Sequence, residues 1–251
     1  MPPLRRLLQV YVYRISFDAH GVRVTLSDSA LDRAGHLAYE MGLSDDRAVV
    51  FFNPDEAFRF TRIPFDKQAA LLSRMVKSNA TVLLGEGHTD AGIGLRLKEA
   101  LAPPLRARIR IVPAALPLDA YAALIDLSDV FVSGDTGPLH VAAARKYSRT
   151  NRFVFRNRTA ILSIFGATPA RMSGYDSLQS GYLPAHQDAP SWCYSSGSPC
   201  RNITCLDKML KTCRTVRCFE QMDVEILAGR INAYLGTLTE PNPHRFALVN
   251  A

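Results

Sequence analysis

From residue 47 to residue 165, short apolar runs bounded by turn residues alternate with longer amphipathic stretches, and few folds admit that alternation. Residues 48–53, 80–84, 108–112, 130–133 and 160–165 read as strands. Between them, 66–77, 90–101, 119–127 and 138–146 read as helices, most with an Asp near the start, where a carboxylate satisfies backbone donors and complements the dipole. Strands read as continuous apolar runs when both faces of the sheet are covered, and a repeated strand–helix alternation makes such a sheet parallel. The predicted fold class is therefore α/β, a doubly wound, Rossmann-like parallel sheet with helices on both faces. In such sheets ligands sit beyond the carboxyl ends of the strands. The segments to search for chemistry are those after Phe52, Leu84, Val112 and Val132.

Residues 1–47 read as a lead-in segment: extended pieces at 9–17 and 21–27, then a helix over 29–41 with Leu31, Ala34, Ala38 and Met41 on one face. A further helix is expected over 223–235, with Val224, Leu227, Ala228, Ile231 and Leu235 aligned, followed by a tail at 236–251. With 251 residues, 47% of them hydrophobic and 21% charged, the chain has material for one large domain and lacks the bias of disordered or repeat proteins. No apolar run approaches the roughly 18–20 residues of a membrane span, and the start lacks a cleavable signal pattern, so the expected location is the cytoplasm. The net charge of +7 is unevenly placed: residues 145–217 hold twelve basic and three acidic side chains. A field of that sign suits an anionic small molecule, a phospholipid surface or nucleic acid.

The most informative loop is Ser133-Gly134-Asp135-Thr136-Gly137-Pro138-Leu139-His140, between a strand and a helix that continues Val141-Ala-Ala-Ala. Gly134 and Gly137 permit close backbone approach, and Pro138 is pre-set for a first helical turn. The amides of that turn, at the positive end of the dipole, form a ready site for a phosphate or pyrophosphate. Thr136 adds a hydroxyl. Asp135 repels phosphate and is better suited to capping the helix or accepting from a sugar hydroxyl, while His140 either donates to a phosphate oxygen or packs. The bland alternative is a well-capped helix start with good turn residues.

The run from Asp126 through Val-Ser-Gly-Asp135-Thr-Gly-Pro-Leu-His140-Val-Ala-Ala resembles the D-T-G-x-x-H-x-A-A motif of glycosyltransferase family 9, the lipopolysaccharide heptosyltransferases, and Phe165-Gly166-Ala167-Thr168-Pro169 is similar to that family's F-G-x-T-x-P region. The resemblance, over roughly residues 20–235, implies the carboxyl-terminal, nucleotide-sugar-binding half of a GT-B enzyme of lipopolysaccharide biosynthesis. It implies inverting sugar transfer without a metal or cofactor, from a donor such as ADP-heptose to a glycan or lipid-linked acceptor. By position it makes Gly134, Asp135, Thr136, Gly137 and His140 the donor contacts, in a domain spanning residues 48–235. The family's K-x-W-P stretch is altered here. Thr61 takes the Lys position and Ile63 the Trp position, so Arg59 or Arg62 is the expected phosphate cation. Asp90 falls where the family places an acid near the nucleoside, and Glu86 or Asp90 could meet the ribose, though an Asp capping the next helix is at least as good a reading.

The amino-terminal acceptor domain that supplies the family's catalytic base is not recognisable, so no catalytic residue is assigned. A positioned general base is worth about 10²–10⁴ in rate. A non-catalytic nucleotide-sugar-binding module, or a half-enzyme needing a partner chain with an acceptor domain, is the alternative. A basic segment at 145–158 carries six cations and no acid, interleaved with Tyr147, Phe153 and Phe155. It reads as a solvated loop or as a peripheral contact with an anionic inner-membrane surface, with nucleic acid the weaker partner. All five cysteines lie in the Cys-rich segment 193–218. Cys200, Cys205, Cys213 and Cys218 are candidate ligands for a structural zinc or an iron–sulfur cluster, against buried thiols or a stabilising bridge.

Overall fold

The computed structural model describes residues 24, 26–56, 62–75, 80–146, 159–166, 189–195 and 216–238. Six parallel strands form one sheet in the order β3-β2-β1-β4-β5-β6. They are β1 (Val49–Asn53), β2 (Thr81–Gly85), β3 (Ile109–Val112), β4 (Val130–Ser133), β5 (Ala160–Phe165) and β6 (Ser191–Ser195). The helices are α1 (Asp28–Glu40), α2 (Phe65–Met75), α3 (Ile93–Glu99), α4 (Pro103–Arg106), α5 (Leu118–Asp126), α6 (Gly137–Lys146) and α7 (Val224–Thr237). This is the doubly wound order, with the reversal between β1 and β4.

The alternation of side chains along each strand builds two cores. Val50, Phe52, Val82, Leu84, Val130, Val132, Leu162 and Ile164 face one side and pack with Leu71 and Leu72 of α2, Leu97 of α3, and Leu227 and Ile231 of α7. Phe51, Leu83, Phe131, Ile161 and Phe165 face the other and pack with Ala34 and Ala38 of α1, Leu124 of α5, and Leu139 and Ala142 of α6. Each fully buried large apolar side chain contributes about 1.5–3 kcal/mol. Phe51 also stacks at a tilt on Tyr121, 4.8 Å between centroids, and edge-on to Phe131 at 5.5 Å, which seats α5 on the sheet.

All five predicted strands are present within a residue of their expected limits. The sixth, β6, is amphipathic at an edge, half-buried in its middle, and a five-residue run with Ser at both ends carries little periodic signal. The helix expected from residue 90 starts instead at Ile93, because Gly92, at φ +80°, takes the N-cap. α1 packs on α5 through Ala34 and Ala38, so the helical part of the lead-in belongs to the folded layer. The extended piece at 9–17 and the tail beyond 238 lie outside the described residues.

Close packing at the carboxyl end of β2 depends on a small residue. A Cβ on Gly94 would stand 2.6 Å from the carbonyl oxygen of Gly85 and 2.9 Å from Oε2 of Glu86. Since backbone cannot yield as a side-chain tip can, Gly94→Ala should lose about 1–3 kcal/mol by displacing α3, measurable as a lower urea midpoint at unchanged slope.

Candidate functional site

The strand order reverses between β1 and β4, whose chains leave for helices on opposite faces of the sheet, and it is at such a reversal that doubly wound sheets form a ligand-binding crevice. Asn53 and Ser133 end these strands and are register partners. Asn53 is 6% exposed and Ser133 fully buried, so their polar groups must find partners within the protein. The Asn53 amide nitrogen donates to Ser133 Oγ at 3.1 Å, to Thr136 Oγ1 at 3.3 Å and to the carbonyl of Asp55 at 3.3 Å. Tyr121 of α5 donates its hydroxyl to Asn53 Oδ1 at 3.2 Å. Burial, and after it the Asp55 carboxylate, pushes the phenol pKa above its ordinary value and keeps it a donor. Ser133 Oγ and Thr136 Oγ1 share a further hydrogen bond of 2.9 Å.

The predicted loop lies over this network. Gly134 is buried, and the carboxylate of Glu56, itself buried, rests against it: a Cβ at Gly134 would stand 1.5 Å from Glu56 Oε1. Gly137 is the opposite case, exposed, with nothing among the described residues within 4 Å of the place a Cβ would take. It begins α6, a helix of ten residues whose first-turn amides lack acceptors within the helix. Pro138 has no N–H, so the donors this turn offers are the amides of Gly137 and Leu139. Asp135 and His140 bracket the opening, Oδ1 to Nε2 at 3.6 Å, both partly exposed.

Arg62 and Asp90 are also brought to this edge, bound to each other. Arg62 donates to Asp90 Oδ2 at 2.9 Å, to Asp55 Oδ1 at 3.3 Å and to the carbonyl of Glu56 at 2.9 Å, and Asp90 accepts a second charge from Arg96 at 2.7 Å. Asp90 does not cap α3 with its side chain, since its carboxylate is spent on the two arginines. Asp55 receives the amides of His88 and Thr89, each at 2.7 Å, and of Asp90 at 3.2 Å. It thus ties the turn after β2 to the turn after β1. Glu86 follows β2, and its Oε2 is buried with no hydrogen-bond partner among the described residues. Arg59 lies outside the described residues.

The sequence model of glycosyltransferase family 9 (heptosyltransferase) matches residues 5–149. The chain belongs to glycosyltransferase family 9. Among solved structures it is similar to E. coli ADP-heptose lps heptosyltransferase II, at 17% identity and a TM-score of 0.56, covering 85% of this chain and 53% of that one. It is also similar to the glycosyl transferase family 9 protein from Veillonella parvula, at 15% identity and a TM-score of 0.51, covering 70% of this chain and 43% of that one. The chain therefore spans about half the length of the structures it matches, and at these identities the likeness shows the fold. No curated protein matches.

Against the family pattern, Ile63 at the Trp position is buried in the core, and Thr61 at the Lys position lies outside the described residues. Sequence reasoning gave no role to Asn53, Asp55, Glu56 or Tyr121. Asn53 has a legible signal, a polar residue ending an apolar strand. Tyr121 has none, being one apolar-looking residue in an amphipathic helix.

Two further expectations change. Arg145, counted as the first cation of the basic segment, is internal: it is 2% exposed, donates to Asp126 Oδ2 through Nε at 2.8 Å and through a second guanidinium nitrogen, and donates to the carbonyl of Val24 at 2.8 Å. A guanidinium so placed offers nothing to a membrane or nucleic acid, and residues 147–158 lie outside the described residues. Cys218 is buried in one core beside Gly166, whereas Cys193 of β6 packs against the core on the other face of the sheet. Cys200, Cys205 and Cys213 lie outside the described residues. Among the described residues no group of three or more His, Cys, Asp or Glu has metal-site geometry, so the zinc or iron–sulfur suggestion gains no support. Among them, too, no helix is long and apolar enough to cross a membrane.

Proposed function

We propose that this chain is the donor-binding half of a sugar transferase, taking a nucleotide-diphosphate sugar of the ADP-heptose kind and delivering the sugar to a glycan or lipid-linked acceptor. The observation that carries the reading is the open start of α6 at the strand-order reversal, where the Gly137 position faces empty space beside the Thr136 hydroxyl. A diphosphate there would meet the Gly137 and Leu139 amides, the helix dipole and the Thr136 hydroxyl. Asp135, whose Oδ1 lies 3.6 Å from His140 Nε2, would accept from hydroxyls of the sugar, and His140 would donate to the phosphate bridge. Arg62 supplies positive charge from one side, tempered by its two carboxylate partners.

For the ribose, Glu86 is the better candidate than Asp90. Its Oε2 needs a donor, and a ribose hydroxyl is one, while both oxygens of Asp90 are engaged by arginines. The reaction class this arrangement serves is inverting displacement at the anomeric carbon, with the leaving diphosphate stabilised by fixed amides and the helix dipole. The group that takes the acceptor's proton belongs to the acceptor half. A purely binding role for this chain, with that half supplied elsewhere, is the second reading.

Titration calorimetry with ADP, UDP and GDP sugars tests the binding claim, and a turnover assay with glycan and lipid-linked acceptors separates enzyme from module. Thr136→Val should weaken the diphosphate sugar about tenfold by removing a hydrogen bond to a charged group, and should also lower stability by about 1–3 kcal/mol because it leaves the buried Ser133 hydroxyl without its partner. Absence of affinity for all three nucleotides would defeat the proposal.

A further inference from the structure

The hydroxyls at the mouth of the crevice have a fixed direction that can be worked out from their partners. A backbone carbonyl only accepts, so the Asn53 side-chain atom 3.3 Å from the Asp55 carbonyl is its nitrogen, and Asn53 Oδ1 therefore faces Tyr121. The phenol must be the donor in that contact. On the other side, the second N–H of Asn53 is shared between Ser133 Oγ and Thr136 Oγ1, the first being given to the Asp55 carbonyl. Ser133 is fully buried, and among the described residues the acceptor its proton finds is Thr136. Thr136 then accepts from both Asn53 and Ser133, which uses its two lone pairs. Among the described residues its own proton has no acceptor, and since Thr136 is partly exposed that proton is left for a group arriving from outside.

We infer that Tyr121 and Asn53 are positioning residues whose buried hydrogen-bond relay presents the Thr136 hydroxyl to the crevice solely as a donor, selecting an anionic acceptor such as a diphosphate oxygen. The inference deepens the nucleotide-sugar reading and rests on it. The relay runs in one sense, from the phenol to the amide carbonyl and, separately, from the amide nitrogen through Ser133 to Thr136, and successive hydrogen bonds of one sense strengthen one another. A ligand group that donates, such as an ammonium or a sugar hydroxyl turned the wrong way, finds no lone pair at this position. Orientation is settled before the ligand arrives, so none of its binding energy is spent on turning the hydroxyl.

The test is a double-mutant cycle on the full chain, read by calorimetry with ADP, UDP and GDP and with the matching nucleosides, which lack the phosphates. Asn53→Leu keeps the branched shape and the neutral charge, though it is bulkier, and ends the relay. It should weaken the diphosphate that binds about tenfold and leave its nucleoside within twofold. The same change made on a Thr136→Val background should add nothing, because the group it orients is gone. Tyr121→Phe, a milder change that spares the fold if Asn53→Leu does not, should weaken the diphosphate about threefold, again only when Thr136 is present. Equal losses in both backgrounds, or a parallel loss of the nucleoside, would mark a structural role and overturn the relay alone. A wild-type chain that binds none of the three diphosphates overturns the nucleotide-sugar reading and the relay with it.

Discussion

Replacing Arg145 with methionine should lower stability by about 3–5 kcal/mol, a large share of what holds a domain together. Methionine keeps much of the length and apolar stem, so the change isolates the charge. Asp126, at the end of α5, would be left with its carboxylate buried and unanswered, and the carbonyl of Val24 would lose its donor. In the wild type burial already raises the Asp126 pKa, with the Arg145 guanidinium pulling the other way. Removing the arginine removes the opposing pull. A carboxyl whose folded pKa lies above its unfolded value costs stability as the pH rises from the unfolded value, about 3.9, through the folded one. The deficit of Arg145→Met should therefore shrink on acidification toward pH 5 and be largest at pH 8, in urea titrations at each pH. Adding Asp126→Asn should restore much of the loss, since neutral partners of similar size often replace a buried ion pair without penalty. A single substitution that costs under 1 kcal/mol at pH 8 would mean that water reaches the pair.

Arg145 also marks where sequence reading ends. Its position within a run of cations made it look like surface, and the composition of the neighbourhood outweighed its own place on α6. Ala142 and Leu139 are three and six positions earlier and both buried, so Arg145 lies on the same inward stripe. The strands were legible for the converse reason. Five-residue apolar runs such as Val49–Asn53 and Thr81–Gly85, buried at every position, have few other uses in a chain rich in turns. The parallel, doubly wound arrangement followed from the alternation, and the strand ends to be searched followed from that arrangement. What the residues could not show was the contact across 80 positions between Asn53 and Ser133, or the approach of Tyr121, because such pairings depend on register and not on local pattern.

The acids at this edge also needed the fold to be weighed. Asp55, Glu56, Glu86, Asp90 and Asp135 surround a site proposed for an anion, a combination that charge counting alone would reject. Position decides otherwise for several of them. Asp55 is held by three amides and Arg62, and Asp90 by two arginines, so much of their charge is compensated locally. Glu56 is turned onto Gly134, away from the open approach to Gly137.

Gly137→Asp separates a phosphate site from a helix that is simply well capped, because the two readings predict different pairs of outcomes. The backbone at Gly137 has no positive φ and a Cβ there meets nothing, so the substitution brings no strain. A carboxylate in the first turn complements the dipole and should leave stability unchanged or raise it by about 0.3–1 kcal/mol. The same carboxylate would stand where the diphosphate is proposed to bind. Two like charges at 4 Å in an effective dielectric of 20 repel by about 4 kcal/mol, and allowing for screening by water and salt the affinity for a diphosphate sugar should fall about hundredfold. Asn at the same place, with the shape but not the charge, should cost far less. Calorimetry beside thermal unfolding reads both quantities from one preparation. A variant that gains stability and still binds the diphosphate sugar as tightly as the wild type would leave α6 with a good cap and no ligand, and would move the search to another strand end.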